Sequence, residues 1–385
     1  MQSPTDDDRM FDAIVLGVGG MGSAACLELA RRGVRVLGLE QYPLCHNRGS
    51  SHGESRIIRK AYFEHPDYVP LLHRAYDLWS QLESATGRKL LLPTGLVLSG
   101  PPEGETIRGA RQSAELHRLQ LENLSPEEAQ RRFSGLVFPP EHAVAFESGA
   151  GTLLVDDCVR AHIDEAVRHG ALIRESEPVL DWSTDGTTVQ VRTSGRQYQA
   201  RSLVVTAGAW AKDLLKQANL PLRVLRKTVC WFPLRQPRLA ADQGAPTYFY
   251  ELPHGTFYGF PSLDGTTIKV AEHSGGDPVD DPATVDRELH PSDLVRLQSF
   301  VEQFIPDALP DPVRHSVCLY TVTPDQHFVI DTHPVWRNIV VGAGFSGHGF
   351  KFCPVVGEAL ADLALEGTTS LPIGFLGTSR PALRG

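Results

Sequence analysis

The sequence predicts a mixed α/β fold in two parts, one built on a parallel sheet and the other on a mixed, largely antiparallel sheet. An apolar strand, a glycine-rich turn, a helix and a second strand follow one another within residues 11–39, which is the order of a parallel βαβ unit. Residues 171–206 form short β-rich runs separated by turn residues. Residues 221–279 mix aromatic residues with proline and glycine, which indicates further strands with long loops. A chain of 385 residues is also long enough for more than one core.

The other elements are predicted from apolar periodicity and capping residues. Apolar residues recur at helical spacing over 69–85 and 355–365, and each stretch is followed by a glycine. Ser125 precedes a proline and two glutamates, which predicts a short capped helix. Residues 338–341 predict a strand that enters a second glycine-rich turn. We expect residues 171–206 to form a β-meander.

Composition and charge narrow the possible partners. The net charge is -9 and the basic residues are scattered, which argues against nucleic acid or an anionic membrane as a partner and favours a small molecule. No apolar run is long enough to span a bilayer. The six cysteines show no CxxC pair and no regular spacing, which predicts neither a zinc site nor a disulfide framework. We therefore expect a protein of the reducing cytoplasm.

A Gly-x-Gly-x-x-Gly motif stands between the first strand and the first helix. Its glycines are Gly17, Gly19 and Gly22, and Glu40 ends the second strand, about 20 residues further on, where an acidic side chain can bind ribose hydroxyls. The glycines allow a tight turn and a close approach of a pyrophosphate to the helix N-terminus. The motif predicts a Rossmann-like dinucleotide site but does not separate NAD from FAD. Residues 203–208 and 342–349 favour FAD, because each is a strand that runs into small residues able to border a large cofactor.

Four segments together carry a resemblance to a known family. They are residues 17–22, residues 49–59 (GSSHGESRIIR), residues 318–321 (CLYT) and residues 344–351 (GFSGHGFK). In order and approximate spacing they resemble the monomeric sarcosine oxidase family, which includes sarcosine, N-methyltryptophan and L-pipecolate oxidases. The likeness covers nearly the whole chain.

The resemblance implies a covalently attached FAD and a carboxylate clamp. Cys318 lies where the family joins its cysteine to the flavin 8α-methyl as a thioether. Arg59 and Lys351 match the pair that binds the substrate carboxylate. On composition alone, Cys318 reads as a small buried hydrophobe and Arg59 as a surface or ion-pair residue.

Further residues are assigned to the flavin and the amine by the same resemblance. Tyr258 and His273 match residues that line the substrate side of the flavin, and Lys269 matches a lysine on the opposite face that assists oxygen. His52 and Arg56 match residues close to the ring. Without the resemblance, His52 is equally well a turn residue.

The last glycine-rich turn and an aromatic segment complete the expected site. The turn offers backbone N–H groups to the flavin, with Lys351 directly behind it. Phe249 is a candidate wall of the amine pocket, and Tyr320 a further substrate contact. The residues of this segment that are assigned to the cofactor are Gly344, Gly347, His348, Gly349 and Lys351.

The implied reaction is oxidation of a secondary amino acid to an imine, with oxygen reduced to hydrogen peroxide. Sarcosine would give glycine and formaldehyde after hydrolysis, whereas L-pipecolate would leave a cyclic imine, and the sequence does not choose between them. An NAD-dependent dehydrogenase and a non-enzymatic flavoprotein are the alternatives, and both leave the later segments without a role. The family is usually monomeric. The expected domains are an FAD-binding part over residues 1–88, 150–220 and 320–385, and a substrate part over residues 89–149 and 221–319.

Overall fold

The computed structural model describes residues 10–384, so the outermost ends of the predicted FAD-binding part, residues 1–9 and 385, lie outside the described residues. The strands in chain order are β1 Phe11–Leu16, β2 Val36–Leu39, β3 Ser55–Ile58, β4 Leu91–Leu92, β5 Leu96–Gly100, β6 Glu122–Leu124, β7 Ala143–Glu147, β8 Gly151–Leu154, β9 Leu172–Arg174, β10 Val179–Thr184, β11 Val189–Thr193, β12 Gln197–Val205, β13 Arg223–Pro233, β14 Thr247–Leu252, β15 Gly255–Phe260, β16 Thr267–Glu272, β17 Asp277–Val279, β18 Arg314–Val322, β19 Val329–Thr332 and β20 Ile339–Ala343. The α-helices are α1 Gly20–Arg31, α2 Val69–Thr86, α3 Glu105–His117, α4 Pro126–Arg132, α5 Val155–Arg168, α6 Ala211–Leu214, α7 Pro291–Phe304 and α8 Cys353–Glu366.

The first sheet has eight strands and contains the predicted βαβ unit. Its order is β10-β11-β12-β1-β2-β9, with β20 beside β12 and β19 beside β20. Strand β1 runs parallel to both β2 and β12, and β12 runs parallel to β20. The register pairs Leu16 with Leu39 and with Val205, so these strands end together at one edge of the sheet. The glycine-rich turns and Glu40 follow directly from this edge.

The second sheet has nine strands and is largely antiparallel. Its order is β17-β13-β16-β15-β14-β5-β7-β6, and β18 pairs with β13. Only the β14–β5 pairing is parallel among the described strand pairs of this sheet. A small third sheet, β3-β8-β4, carries Arg56. The predicted mixed α/β fold, with one largely parallel and one largely antiparallel sheet, is confirmed.

Helix α1 packs the parallel sheet against its neighbouring helices. Its apolar residues join those of α2, α5 and α8 in one buried cluster. Burial of such a cluster stabilises the fold by removing apolar surface from water. The helix therefore has a fixed position, with its N-terminus at the carboxyl edge of the sheet.

Most predicted elements are found within a few residues of their expected bounds. Helices α2 and α8 each end at a left-handed glycine, Gly87 and Gly367. Ser125 accepts a hydrogen bond from the backbone N–H of Glu128, as expected for a capped helix. Strands β10, β11 and β12 form the antiparallel meander. The exact division into two domains stays a prediction.

Within residues 10–384, no helix combines the length and the apolarity that crossing a membrane requires.

Candidate active site

A cavity of ≈ 330 Å³ lies at the carboxyl edge of the parallel strands. The first glycine-rich turn lines it through Gly17 and Gly19, followed by the start of α1 at Gly20. Backbone N–H groups at the start of a helix favour a phosphate there. Glu40 also lines the cavity, and its carboxylate accepts hydrogen bonds from the backbone N–H groups of Val18, at 2.9 Å, and Tyr42, at 3.2 Å.

Gly22 belongs to the turn but not to the cavity wall. A Cβ atom at this position would lie 1.8 Å from the carbonyl oxygen of Gly17. Gly22 therefore acts by allowing α1 to start close against the turn, rather than by touching a ligand.

The far side of the same cavity is formed by the second glycine-rich turn and β18. Gly344, Gly347 and Gly349 line it, together with Tyr320 and Thr321. The hydroxyl oxygen of Thr321 is buried and has no hydrogen-bond partner among the described residues. Such a group costs free energy unless a ligand satisfies it. The glycine-rich turn, the acid and this hydroxyl fit an adenine dinucleotide such as FAD.

A smaller chamber of ≈ 50 Å³ adjoins this cavity. We call the larger space the cofactor cavity and the smaller one the amine chamber, after the ligands that the sequence predicts. Arg56, Tyr320, Gly347 and Phe350 line both spaces. A molecule in the chamber would therefore lie against one end of the cofactor.

Besides Arg56, two more cations and one carboxylate line this chamber. Arg59 is buried, and its guanidinium binds both carboxylate oxygens of Glu64, at 2.6 and 2.7 Å. Lys351 donates to the carbonyl oxygen of His348 at 2.7 Å. The Arg59 guanidinium and the Lys351 ammonium both lie over the ring of Tyr62, 4.2 and 5.1 Å from its centre. The predicted pair is thus brought to one place.

Burial and charge set the protonation of this group. Burial raises the pKa of Glu64, but the charges of Arg59, His348 and Lys351 outweigh burial and lower the pKa to about 2. Burial and the neighbouring Arg59 lower the pKa of Lys351 to about 7. Glu64 is ionised at neutral pH, and an added carboxylate would favour the charged form of Lys351.

The other wall of the chamber is aromatic. Phe249, Tyr258, His273 and Tyr320 line it, and His273 Nδ1 lies 3.4 Å from the Tyr320 hydroxyl. Burial, followed by the charge of Lys227, lowers the pKa of His273 to about 3. His273 is therefore a neutral group in this chamber.

His348 lies in the second glycine-rich turn and lines the amine chamber rather than the cofactor cavity. Its Nδ1 is 2.5 Å from the Tyr62 hydroxyl, and its Nε2 is 3.0 Å from the carbonyl oxygen of Gln326. Both ring nitrogens are thus engaged, which fixes the shape of the turn.

Cys318 lies in β18, just behind the common wall of the two spaces. Its thiol is 3.6 Å from an Arg56 nitrogen, and Arg56 itself donates to the carbonyl oxygen of Ser50 at 2.7 Å. His52 is buried beside them, bonded to the carbonyl oxygen of Gly49 at 3.0 Å. Burial raises the pKa of Cys318, but His52 and Arg56 outweigh it and lower the pKa to about 6. The thiol is therefore largely a thiolate at neutral pH.

Lys269 lies outside the amine chamber, in the wall of a third cavity of ≈ 310 Å³. Its ammonium donates to the carbonyl oxygens of Gly53 and Ser55, at 2.6 and 2.9 Å, and to the Ser55 hydroxyl at 3.1 Å. Burial lowers the pKa of Lys269, while these three acceptors match the three N–H donors of the charged form.

Three side chains in or beside the site were missed by sequence reasoning. Glu64 is paired with Arg59 across five positions, and only this closeness in sequence could have indicated it. Lys227 and Thr321 reach the site from strands whose pairing the sequence does not reveal.

The fold and the site define a class of protein that binds an adenine dinucleotide beside a small chamber with cationic and aromatic walls. A family model described as FAD dependent oxidoreductase matches residues 12–363. The monomeric sarcosine oxidase of Streptomyces avermitilis is 42% identical over 380 residues, covering 97% of this chain and 98% of that protein. The N-methyl-L-tryptophan oxidase of Salmonella agona is 31% identical over 369 residues, covering 94% of this chain and 97% of that protein.

A solved structure of high similarity is the open form of NikD, an amino acid oxidase essential for nikkomycin biosynthesis. It has a TM-score of 0.84 and 28% identity, and the match covers 96% of this chain and 97% of that one. The chain belongs to the FAD dependent oxidoreductases and, within them, to the sarcosine oxidase family.

Proposed function

We propose that this chain oxidises a small secondary amino acid, sarcosine or a close analogue, to its imine and passes the electrons to oxygen as hydrogen peroxide. The observation that carries the proposal is the amine chamber, which has the cations Arg59 and Lys351 on one side and a neutral aromatic wall on the other. This arrangement suits a molecule with a carboxylate at one end and an uncharged amine at the other.

Arg59 and Lys351 bind the substrate carboxylate in this proposal. Glu64 already holds the Arg59 guanidinium, so a substrate must share that guanidinium or displace part of the ion pair. Arginine offers a fork of donors, whereas Lys351 supplies a point charge.

The aromatic wall orients the amine. Tyr258, His273 and Tyr320 are neutral polar groups, and none of them is placed as a strong base. We infer that the substrate reacts as the neutral amine, held with its reacting carbon toward the cofactor cavity. When bound, FAD supplies the electron acceptor for the carbon next to the amine nitrogen.

Arg56 and Lys269 stabilise negative charge on the cofactor side, with His52 tuning the field. Arg56 lines both spaces, and Lys269 holds a buried cation away from the amine chamber. A fixed cation next to developing superoxide charge lowers the barrier for electron transfer to oxygen.

Covalent attachment of FAD through Cys318 is part of the proposal. The lowered pKa of the thiol supports it, because the thiolate is the reactive form. The cofactor contacts proposed for Gly344, Gly347 and Gly349 are supported by their place in the cavity wall.

We also propose that the protein is a monomer of the cytoplasm. All six cysteines are free in the described residues, which fits the reducing cytoplasm. The names of the bacterial relatives support a monomer.

A substrate panel tests the proposed function. Hydrogen peroxide release would be followed with sarcosine, N-methyl-L-alanine, L-pipecolate and L-proline, and with dimethylamine as a control that lacks the carboxylate. We expect the highest kcat/KM with a small carboxylated amine, and at least about 100-fold lower kcat/KM with dimethylamine because the clamp is then unused. Preference for L-pipecolate would move the assignment to a cyclic substrate, and no peroxide from any of them would contradict the proposal.

A further inference from the structure

The ladder of the second sheet is interrupted beside the amine chamber. Strand β13 pairs with β16 through residues 229–233 and with β17 through residues 224–226. Between these two pairings the opposing chain passes through residues 273–276 and bulges away from β13. His273, the first residue of this bulge, lines the chamber.

Lys227 fills the gap that the bulge leaves. Its side chain is buried, and its ammonium donates to the carbonyl oxygens of Ser274, at 2.6 Å, and Gly275, at 3.2 Å. A Cβ atom at Gly276, where φ is +117°, would lie 2.8 Å from the Lys227 Cδ atom. The lysine side chain thus replaces the missing ladder contacts and packs against the bulge.

Lys227 also borders the residues on β18 that form the chamber wall. It is directly opposite Cys318 in the antiparallel register. Its ammonium lies 5.5 Å from the centre of the Tyr320 ring, whose hydroxyl is 3.4 Å from His273 Nδ1. One buried cation therefore lies over the Tyr320 ring and binds the backbone of Ser274 and Gly275, the two residues that follow His273.

We propose that Lys227 is a positioning residue, which holds His273 and Tyr320 in place against the amine of the substrate. The inference deepens the proposed function and rests on it. Lys227 does not line the chamber, so it acts through its two neighbours.

The charge of Lys227 also affects the protonation of His273. Burial lowers the pKa of Lys227 to about 8, so its side chain is largely charged at neutral pH. Burial is the largest cause that lowers the pKa of His273, and the charge of Lys227 lowers it further. Removing this charge would raise the pKa of His273 and move the acidic limb of kcat/KM to higher pH. The other charged or titratable groups here are Glu272, Asp277 and Arg296 beside Lys227, Glu64, His348 and Lys351 beside His273, and Tyr258, Arg56 and Cys318 beside Tyr320.

A double-mutant cycle on the holoenzyme tests the inference. We would compare Lys227→Met, His273→Ala and the double variant, with Lys89→Met, an exposed lysine far from the site, as the control. Lys227→Met should raise KM about tenfold, because the chamber wall loses its charged anchor. The KM of the double variant should stay within about twofold of the KM of His273→Ala, because both changes act on one contact. Lys227→Arg, which keeps a cation, should restore the acidic limb of the pH profile.

Wild-type turnover of secondary amines tests the proposed function separately from this cycle. If the wild type is active and the effects of the changes at residues 227 and 273 on KM are additive, the role of Lys227 is overturned and the proposed function still stands. A Lys227→Met enzyme with unchanged KM and pH profile, or a His273→Ala enzyme without effect, would overturn that role as well. If Lys227→Met does not fold, Lys227→Gln takes its place in the cycle and is judged by the same coupling.

Discussion

Arg59 is held between a carboxylate and two aromatic rings. Its guanidinium binds Glu64 and lies 4.2 and 4.0 Å from the ring centres of Tyr62 and Phe63. These contacts fix the planar group before any substrate arrives, which reduces the ordering that binding requires. In the proposed clamp, Glu64 would compete with the substrate carboxylate for the same donors.

Replacing Arg59 by alanine should weaken substrate binding more than turnover. We expect KM for a carboxylated substrate to rise about 100-fold, because a buried charge pair with the substrate is lost. Arg59→Lys should recover only part of this loss, since a point charge lacks the fork. Arg192→Ala, on the exposed surface, is the control. Unchanged affinity for a simple carboxylate inhibitor in Arg59→Ala would remove Arg59 from the clamp.

Replacing Cys318 by alanine should leave FAD that is released when the protein is denatured by acid. Wild-type protein should keep its yellow colour in the redissolved precipitate. Cys45→Ala is the control, because Cys45 lines the cofactor cavity but burial raises its pKa. Attachment to the apoprotein should accelerate as pH rises through about 6, where the Cys318 thiolate forms. Retention of colour by Cys318→Ala would contradict the assignment.

Replacing Lys269 by methionine should slow reoxidation of the reduced enzyme and leave its reduction by substrate nearly unchanged. Loss of one preorganised charge contact costs about 10²- to 10³-fold in comparable steps. Stopped-flow absorbance measures the two half-reactions separately, so the reductive half serves as an internal control. Equal slowing of both halves would show that Lys269 does not act specifically on the oxygen side.

The start of α1 shows how one element places the cofactor site. Replacing Gly22 by alanine should destabilise the protein by about 3 kcal/mol or more, because the added Cβ would meet the Gly17 carbonyl oxygen at 1.8 Å. Gly195→Ala is the control, since open space surrounds that glycine. The measurement is urea unfolding with and without FAD. A Gly22→Ala protein of wild-type stability would mean that the turn can shift without cost.

Local signals were sufficient for the elements that begin or end at a marked residue. Helix α2 ends at Gly87 and α4 begins after Ser125, both as predicted, because the capping groups lie next to the elements in sequence. Strand β1 opens the βαβ unit that the sequence predicts within residues 11–39. The carboxyl edge that carries Gly17 and Glu40 follows from the parallel βαβ order.

The pairing of strands that are distant in the chain could not be predicted from such local signals. The register of β13 with β18, which places Lys227 opposite Cys318, joins residues about 90 positions apart in a part without periodic signals. The break between β16 and β17 depends on where the pairing of β13 with each of these two strands ends. The resemblance identified most of the chamber residues, but not the groups that hold them.

The whole molecule separates two chemical tasks in space. The cofactor cavity lies at the edge of the first sheet, and the amine chamber is closed by strands of the second. Lys269 faces a third cavity whose wall includes the carboxylates of Glu54, Asp156, Asp157 and Asp264. We therefore predict that mutations at Lys269 and mutations in the amine chamber affect different half-reactions.

The central claim is that a secondary amino acid reduces the bound FAD and oxygen reoxidises it. The most direct measurement is flavin absorbance in a stopped-flow cell, with the holoenzyme mixed first with sarcosine under anaerobic conditions and then with oxygen. We predict loss of the yellow absorbance on the first mixing and its return on the second, with one hydrogen peroxide for each turnover. Absorbance that stays unchanged with sarcosine, L-pipecolate and L-proline, or that oxygen fails to restore, would contradict the claim.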